Sequence, residues 1–217
     1  MKKMGIFMIA FMFCLTINAQ NNEITLLTKN MKEIKLLPPQ KKGGMPLMEA
    51  LANRKTNREF SAQELTSQQL SNLLWAASGV NRSDGKRTAP TARNAQQIEI
   101  YVMNKWGVYL YLPKEHVLHL IAEGDFRKES VSQEHFQECP LILIYVANYD
   151  KMQGFSEESK LMYEGTDTGF ISQNVYLYCA SEGLSTCVIG SIYRDKLQKL
   201  LKFNGKAILG QIVGVAK

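Results

Sequence analysis

The residues best equipped for chemistry stand close together. In "RKTNREF", residues 54–60, Arg54, Lys55 and Arg58 surround a hydroxyl, Thr56, and an amide, Asn57. Arginine supplies paired donors and lysine a point charge, so this set suits a phosphate monoester. The same cations would serve equally as a solvated face after the apolar "MPLMEALAN", and their types alone leave both readings open. A second stretch, "APTARNAQ", offers a different kind of contact. Pro90 fixes a turn, Thr91 and Ala92 are small enough to let backbone approach a flat ligand, and Asn94 presents both donor and acceptor to a heterocycle or polyol. A third, "SQNVYLYCASEGLSTCVIGS", ends a helix at Gly183 and leads through a short strand to Ile189, Gly190 and Ser191.

Other chemistries lack their signatures. There is no GxGxxG, no Walker loop and no GxSxG. His116 and His119 fall three apart on an expected short helix and His135 stands alone, which reads as solvated surface rather than a metal site. Beyond Cys14, the cysteines Cys139, Cys179 and Cys187 are odd in number and have no CxxC spacing, so they read as buried small apolar residues. Glu164 and Asp167, one turn apart, read as helix-surface or first-turn charges. Tyr163, Tyr176 and Tyr193 read as core and rim aromatics.

The elements that must position these residues follow from the pattern. The 217 residues, 45% hydrophobic, suit one domain. Residues 1–19 carry Lys2 and Lys3, an apolar run from Ile6 to Ile17 and a small Ala19, the layout of a cleaved export signal. The run is short of the roughly 20 residues that a membrane span needs, so no span is expected. Export, to the periplasm, follows if the leader is used, and a cytoplasmic location if it is not. Cleavage leaves 24 basic against 20 acidic residues, a charge of +4, too mild to argue for nucleic acid. Residues 20–44 read as a tether and 45–217 as the domain. Thr66, with Gln69 three residues on, starts a helix that Gly79 stops. Residues 81–96 form a long loop, 98–112 a hairpin, 113–122 a short helix, and "PLILIYVAN" a central strand buried on both faces. Ser156 to Glu182 is a long helix, apolar on several sides and so surrounded. A strand, an amphipathic helix over "RDKLQKLLKF" and a last strand over "AILGQIVGVA" complete an α+β chain with one central sheet.

In their order and spacing the three stretches resemble the nitroreductase family, flavoenzymes that bind FMN at a dimer interface, and the resemblance spans about residues 45–215. It implies a mainly antiparallel sheet flanked by helices, with the long helix at the interface of a homodimer; an Ile171, Val175 and Tyr178 face on that helix, additional to its core face, points to a partner subunit independently of the resemblance. It also implies that Arg54, Lys55 and Thr56 meet the FMN phosphate and ribityl chain and that Arg58 meets flavin N1 or O2. Pro90, Thr91, Ala92 and Asn94 would border the ring, from the other subunit in many members, while Ile189, Gly190 and Ser191 would offer amides near N5. Lys55 and Thr56 depart from the family's Arg-Arg-Ser, and the sequence given stops at Lys217, where many members add basic residues. Lys217 is the candidate to replace them, and the stop is most similar to the compact SagB-like azoline dehydrogenases. The implied activity is ping-pong hydride transfer from NADH or NADPH through FMN to a small organic acceptor, nitroaromatic or quinone-like. An FMN-dependent dehydrogenase of an organic or peptide substrate and a flavin-binding protein without turnover are the alternatives.

Overall fold

The computed structural model describes residues 32–217; the export signal and the first part of the expected tether lie outside them. The elements in order are β1 (Glu33–Lys35), α1 (Leu47–Asn53), α2 (Ser67–Ser78), β2 (Ile98–Met103), β3 (Gly107–Leu112), β4 (Val117–Glu123), α3 (Arg127–Ser130), β5 (Leu141–Asn148), α4 (Glu157–Glu182), β6 (Leu184–Ile189), α5 (Arg194–Leu201) and β7 (Gly205–Val215). The strands form one seven-stranded sheet in the order β1-β4-β3-β2-β5-β7-β6, and every neighbouring pair is antiparallel.

The middle of the sheet is set by β5, which lies between β2 and β7. Its alternate side chains serve two cores. Leu141, Leu143, Tyr145 and Ala147 join Leu70, Leu73 and Leu74 of α2 and Ile171, Val175 and Cys179 of α4. Ile142, Ile144 and Val146 face Val131, Phe136, Cys187 and Leu197 on the opposite side. A strand covered on both faces needs an unbroken apolar run, which is what its sequence has. Behind it a buried polar network fixes the β6 side of the sheet. Tyr145 donates to Gln211 Oε1 (2.6 Å), and Gln211 Nε2 donates to Thr186 Oγ1 (3.1 Å).

Both helix starts follow their sequence signals. Thr66 and Gln69 form a reciprocal capping box on α2, and Ser156 caps α4, which Gly183 ends in the left-handed region (φ 67°). Two expectations are corrected. Residues 113–122 do not form a helix: they turn through His116 (φ 55°) and run as β4, because pairing with β3 and β1 satisfies more backbone than one isolated turn of helix could. The packed chain also begins before Met45. Glu33–Lys35 extend the sheet as β1, with Ile34 fully buried.

His116 joins that early segment to the core and is not the solvated surface residue expected. Ser71 Oγ donates to Leu37 O (2.5 Å), so its contact with His116 Nε2 (2.8 Å) must be as acceptor. His116 Nε2 therefore carries the ring proton, and Nδ1 accepts from Tyr111 OH (2.9 Å). A second ring proton would face a donor. Burial, together with the Lys41 charge, lowers the His116 pKa, although the Leu37 contact opposes them. The unfolded chain then takes up a proton that the folded one resists, so this contribution is complete above about pH 6.5 and shrinks as pH falls below it. Between pH 7.5 and pH 5 the melting temperature of His116→Gln should fall less than that of the wild type, as thermal unfolding at the two pH values will show.

Candidate functional site

Segment 54–61 is laid over an open sheet edge. After α1 ends, with the Arg54 N–H on Ala50 O, the chain extends along β6, the last strand of the sheet. The Asn57 N–H donates to Thr186 O (3.0 Å) and Asn57 Nδ2 to Ser185 Oγ (2.7 Å). Farther on, the Ser61 N–H donates to Val215 O (2.9 Å) and Phe60 bridges Ala216. Tyr176 of α4 secures the same edge from above. Its hydroxyl accepts the Val188 N–H (3.0 Å) and lies 3.0 Å from Thr56 Oγ1, and the Arg54 guanidinium sits 5.4 Å over its ring. If Tyr176 gives its single proton to Thr56, the Thr56 hydroxyl hydrogen is left for an incoming anion.

The cations are thus fixed at their backbones, and apart from the Arg54 guanidinium over Tyr176 their tips are free among the described residues. Among the described residues, Arg54, Lys55, Arg58 and Lys217 take part in no ion pair. They do not all face one way. Lys55 lines a cavity of about 520 Å³ with Asn57, Tyr176, Ala180 and Gly183, whereas Arg58 lines another of about 390 Å³ with Phe60, His135 and Cys139. Lys217 borders both cavities.

The backbone after β6 continues this edge. Thr186 O and the Val188 N–H point outward to Asn57 and Tyr176, so strand alternation aims Gly190 the same way. Apart from its two chain neighbours, no atom among the described residues lies within 4 Å of the place where a Gly190 Cβ would stand, which leaves room for a flat group against the backbone. The loop is held from behind. Ser191 O accepts from the Ser132 N–H (3.0 Å), Gln133 Nε2 donates to Ser191 Oγ, and Arg194 Nη1 donates to Gly190 O (3.3 Å). Ile189 turns inward, 5% exposed, into the second core.

The 90–94 stretch is equally ordered but lies elsewhere. Arg93, Asn94 and Gln96 all have φ near 50°, a conformation that non-glycine residues rarely adopt and that surrounding bonds must impose. Those bonds come largely from Asp167, whose Oδ2 accepts from the Ala92 N–H (3.2 Å) and from Gln97 Nε2 (2.7 Å). Thr91 Oγ1 accepts the Gln96 N–H (3.0 Å). Asp167 and Tyr176 are nine residues apart on α4, a rise of ~14 Å. Within one chain, therefore, 54–58 and 90–94 stand near opposite halves of α4, and neither cavity beside Lys55 or Arg58 is lined by 90–94.

Asp167 and Glu164 are not surface charges: they are 2% and 3% exposed. Glu164 accepts from Lys206 Nζ (2.7 Å) and from Tyr149 OH (2.7 Å), joining α4 to β7. Burial, with the Glu164 hydrogen bond, pushes the Tyr149 hydroxyl up to about 12. Tyr176, Asp167 and Gln133 are the residues that sequence reasoning left out of the site. Tyr176 and Asp167 stand out in the sequence only as a core or rim aromatic and a helix-surface charge, and Gln133 carries no signal. The expected extra face of α4 is corrected too. Ile171 and Val175 are 1% and 0% exposed in the core of a single chain, and the exposed large apolar residues among the described residues are instead Leu47, Met48 and Leu51 of α1, Leu161, Met162 and Phe170 of α4, and Tyr193.

Residues 51–215 match the sequence model of the family described as "Nitroreductase family". The chain belongs to the nitroreductase family. It is accordingly an oxidoreductase, of a family whose members generally use flavin cofactors. This nitroreductase is 31% identical over 178 residues to a predicted nitroreductase of Methanocaldococcus jannaschii, covering 77% of this chain and 90% of that one. It is 39% identical to a predicted nitroreductase of Ralstonia eutropha JMP134 of known structure, with a TM-score of 0.82 and coverage of 86% and 90%. The Escherichia coli microcin synthetase McbBCD complex shares the fold at 16% identity and a TM-score of 0.65, covering 84% of this chain and 78% of that one.

Two outcomes follow from the geometry. Asp167→Ala leaves the Ala92 N–H and Gln97 Nε2 without their acceptor, and the loss of a buried acceptor should cost about 1–3 kcal/mol in chemical denaturation. Hydrogen exchange of residues 90–97 should rise with it. The thiols should be inert: burial pushes Cys139 and Cys187 up to about 11, the latter against the pull of Arg58, and raises buried Cys179 as well. At pH 8 these three should stay unmodified by a disulfide reagent until denaturant is added.

Proposed function

We propose that this nitroreductase is an FMN-dependent oxidoreductase whose complete site lies between two copies of the chain. The observation that carries the reading is the segment of unpaired cations fixed along the open edge of β6 by Asn57, Thr56 and Tyr176, beside a glycine with space in front of it. A phosphate and a flat ring fit such an edge. Free guanidinium and ammonium groups meet the anion, and exposed backbone without a side chain admits the ring.

Arg54, Lys55 and Thr56 would hold the phosphate and the ribityl chain, with Lys217 adding charge from the chain end. Arg58 would place its cation at the N1 and O2 edge, where negative charge is stabilised on reduction. The backbone around Ile189, Gly190 and Ser191 would face N5. Pro90, Thr91, Ala92 and Asn94 would come from the second copy, which answers their separation from 54–58 within one chain. The exposed apolar residues of α1 and α4 offer the surface on which that copy would pack. Bound FMN would supply a two-electron carrier between a nicotinamide donor, NADH or NADPH, and a small nitroaromatic or quinone-like acceptor. Residues 1–19 would direct export.

The protein purified after FMN is supplied should show a flavin absorbance spectrum that bleaches on anaerobic addition of NADPH or NADH. Arg54→Gln should weaken FMN binding by roughly 10- to 100-fold, the loss expected for a charge-assisted hydrogen bond. Absence of flavin from the wild type would refute the assignment, and flavin that neither nucleotide reduces would refute the donor.

A further inference from the structure

The loop from Val80 to Arg87 is ordered for a reason that the flavin edge does not supply. Val80 bridges Arg87, the Asn81 N–H donates to Lys86 O (3.1 Å), and Arg82 Nη2 donates to Arg87 O (3.2 Å). This hairpin carries the Arg87 side chain to the wall of a cavity of about 190 Å³. Around the cavity stand Ser78, Glu99, Tyr111, Lys114, Glu115 and Lys151, and no residue of 54–58, 90–94, 189–191 or Lys217 lines it.

Arg87 is poorly matched there. Its Nε–H is buried and has no acceptor among the described residues, and its Nη1 reaches Ser78 Oγ only at 3.4 Å, long for a charged donor. No carboxylate among the described residues forms an ion pair with it. Glu99, the acid nearest in effect, is committed elsewhere: Oε1 to Lys151 Nζ (2.8 Å) and Asn148 Nδ2 (2.9 Å), and Oε2 to Tyr101 OH (3.3 Å). Burial lowers the Arg87 pKa, yet a guanidinium keeps its charge at any ordinary pH, so the mismatch cannot be relieved by losing a proton.

We infer that this cavity binds a small oxyanion on Arg87, with a carboxylate as the best match to the planar fork of the guanidinium. Lys114 adds positive charge at the rim, where Glu115 also stands, while Lys151 is neutralised by Glu99, so Arg87 is the cation that holds the anion; Ile98, Leu110 and Pro113 provide an apolar wall for a short hydrocarbon or aromatic tail. The volume is below the roughly 300–1,000 Å³ of pockets for drug-sized ligands, which excludes a nucleotide and favours a ligand of benzoate size or less.

Melting temperature measured against acetate, benzoate and inorganic phosphate at constant ionic strength tests this in the wild type, Arg87→Gln, Arg54→Gln and Lys114→Ala. The wild type should show a saturable rise. Arg87→Gln should lose that response, with affinity down at least about 10-fold, and should melt no lower than the wild type without anion because its unmatched charge is gone. The response should survive in Arg54→Gln, which separates it from the flavin edge, and weaken a few-fold in exposed Lys114→Ala. An Arg87-dependent rise with acetate or benzoate identifies a carboxylate as the ligand, and one with phosphate alone identifies an inorganic oxyanion; both support the site. An Arg87→Gln protein that is destabilised yet responds like the wild type, or no Arg87-dependent response at all, overturns it. If Arg87→Gln does not fold, wild-type crystals soaked in benzoate decide: difference density for benzoate beside Arg87 supports the site, and none in the cavity overturns it.

Discussion

The candidate site depends on how the outer edge of one strand is used. An edge strand presents backbone donors and acceptors that some partner must satisfy. Here β6 gives Thr186 O to Asn57 and the Val188 N–H to Tyr176, so the cationic segment and the long helix are both tied to the same few peptide groups. The Gln211 network behind β6 keeps that edge in register with β5 and β7. The cations need no partners of their own, because backbone and an uncharged amide do the holding. Their charge therefore remains available to a ligand.

The long helix divides its polar residues between two tasks. Toward its C-terminus Tyr176 fixes the cationic segment; toward its N-terminus Asp167 fixes the 90–97 loop, and Glu164 ties the helix to β7 through Lys206. A buried carboxylate is costly unless it is well matched by donors. Each of these has two, which explains how acids that look like surface charges in the sequence come to lie inside. Three left-handed residues among four, Arg93, Asn94 and Gln96, are a further sign that the loop is held to one shape rather than left to find it.

Much of this was legible beforehand. The capping box at Thr66, the buried run of β5, the glycine stop at Gly183 and the three buried cysteines could be read because each depends on local spacing or on a strong apolar signal. The failures share a cause. Residues 113–122 contain leucine, alanine and histidine that suit helix or strand, and distant pairing with β1 and β3 decided between them. Glu164 and Asp167 lie on a helix whose inward face is marked by partners more than 40 residues away, Lys206 and Gln97, which no local pattern discloses. The segment 32–37 looked too polar to pack, yet Ile34 and the Leu37 carbonyl are enough to fasten it. The three stretches of the candidate site were found from composition and order. Their distribution over the two halves of α4 was not, because it is a property of the packing.

The two ends of the sheet also bear on how the protein behaves in a crowd of its own copies. At one end β1 is only three residues long, with Glu33 and Lys35 exposed beside Ile34. At the other, the run from Asn57 to Ser61 takes up part of the outward backbone of β6 and β7. Among the described residues, the seven-stranded antiparallel sheet thus offers neighbouring molecules no long unprotected margin on which to add a strand. The cationic segment is at the same time a guard against the ordered aggregation to which such a sheet would otherwise be prone.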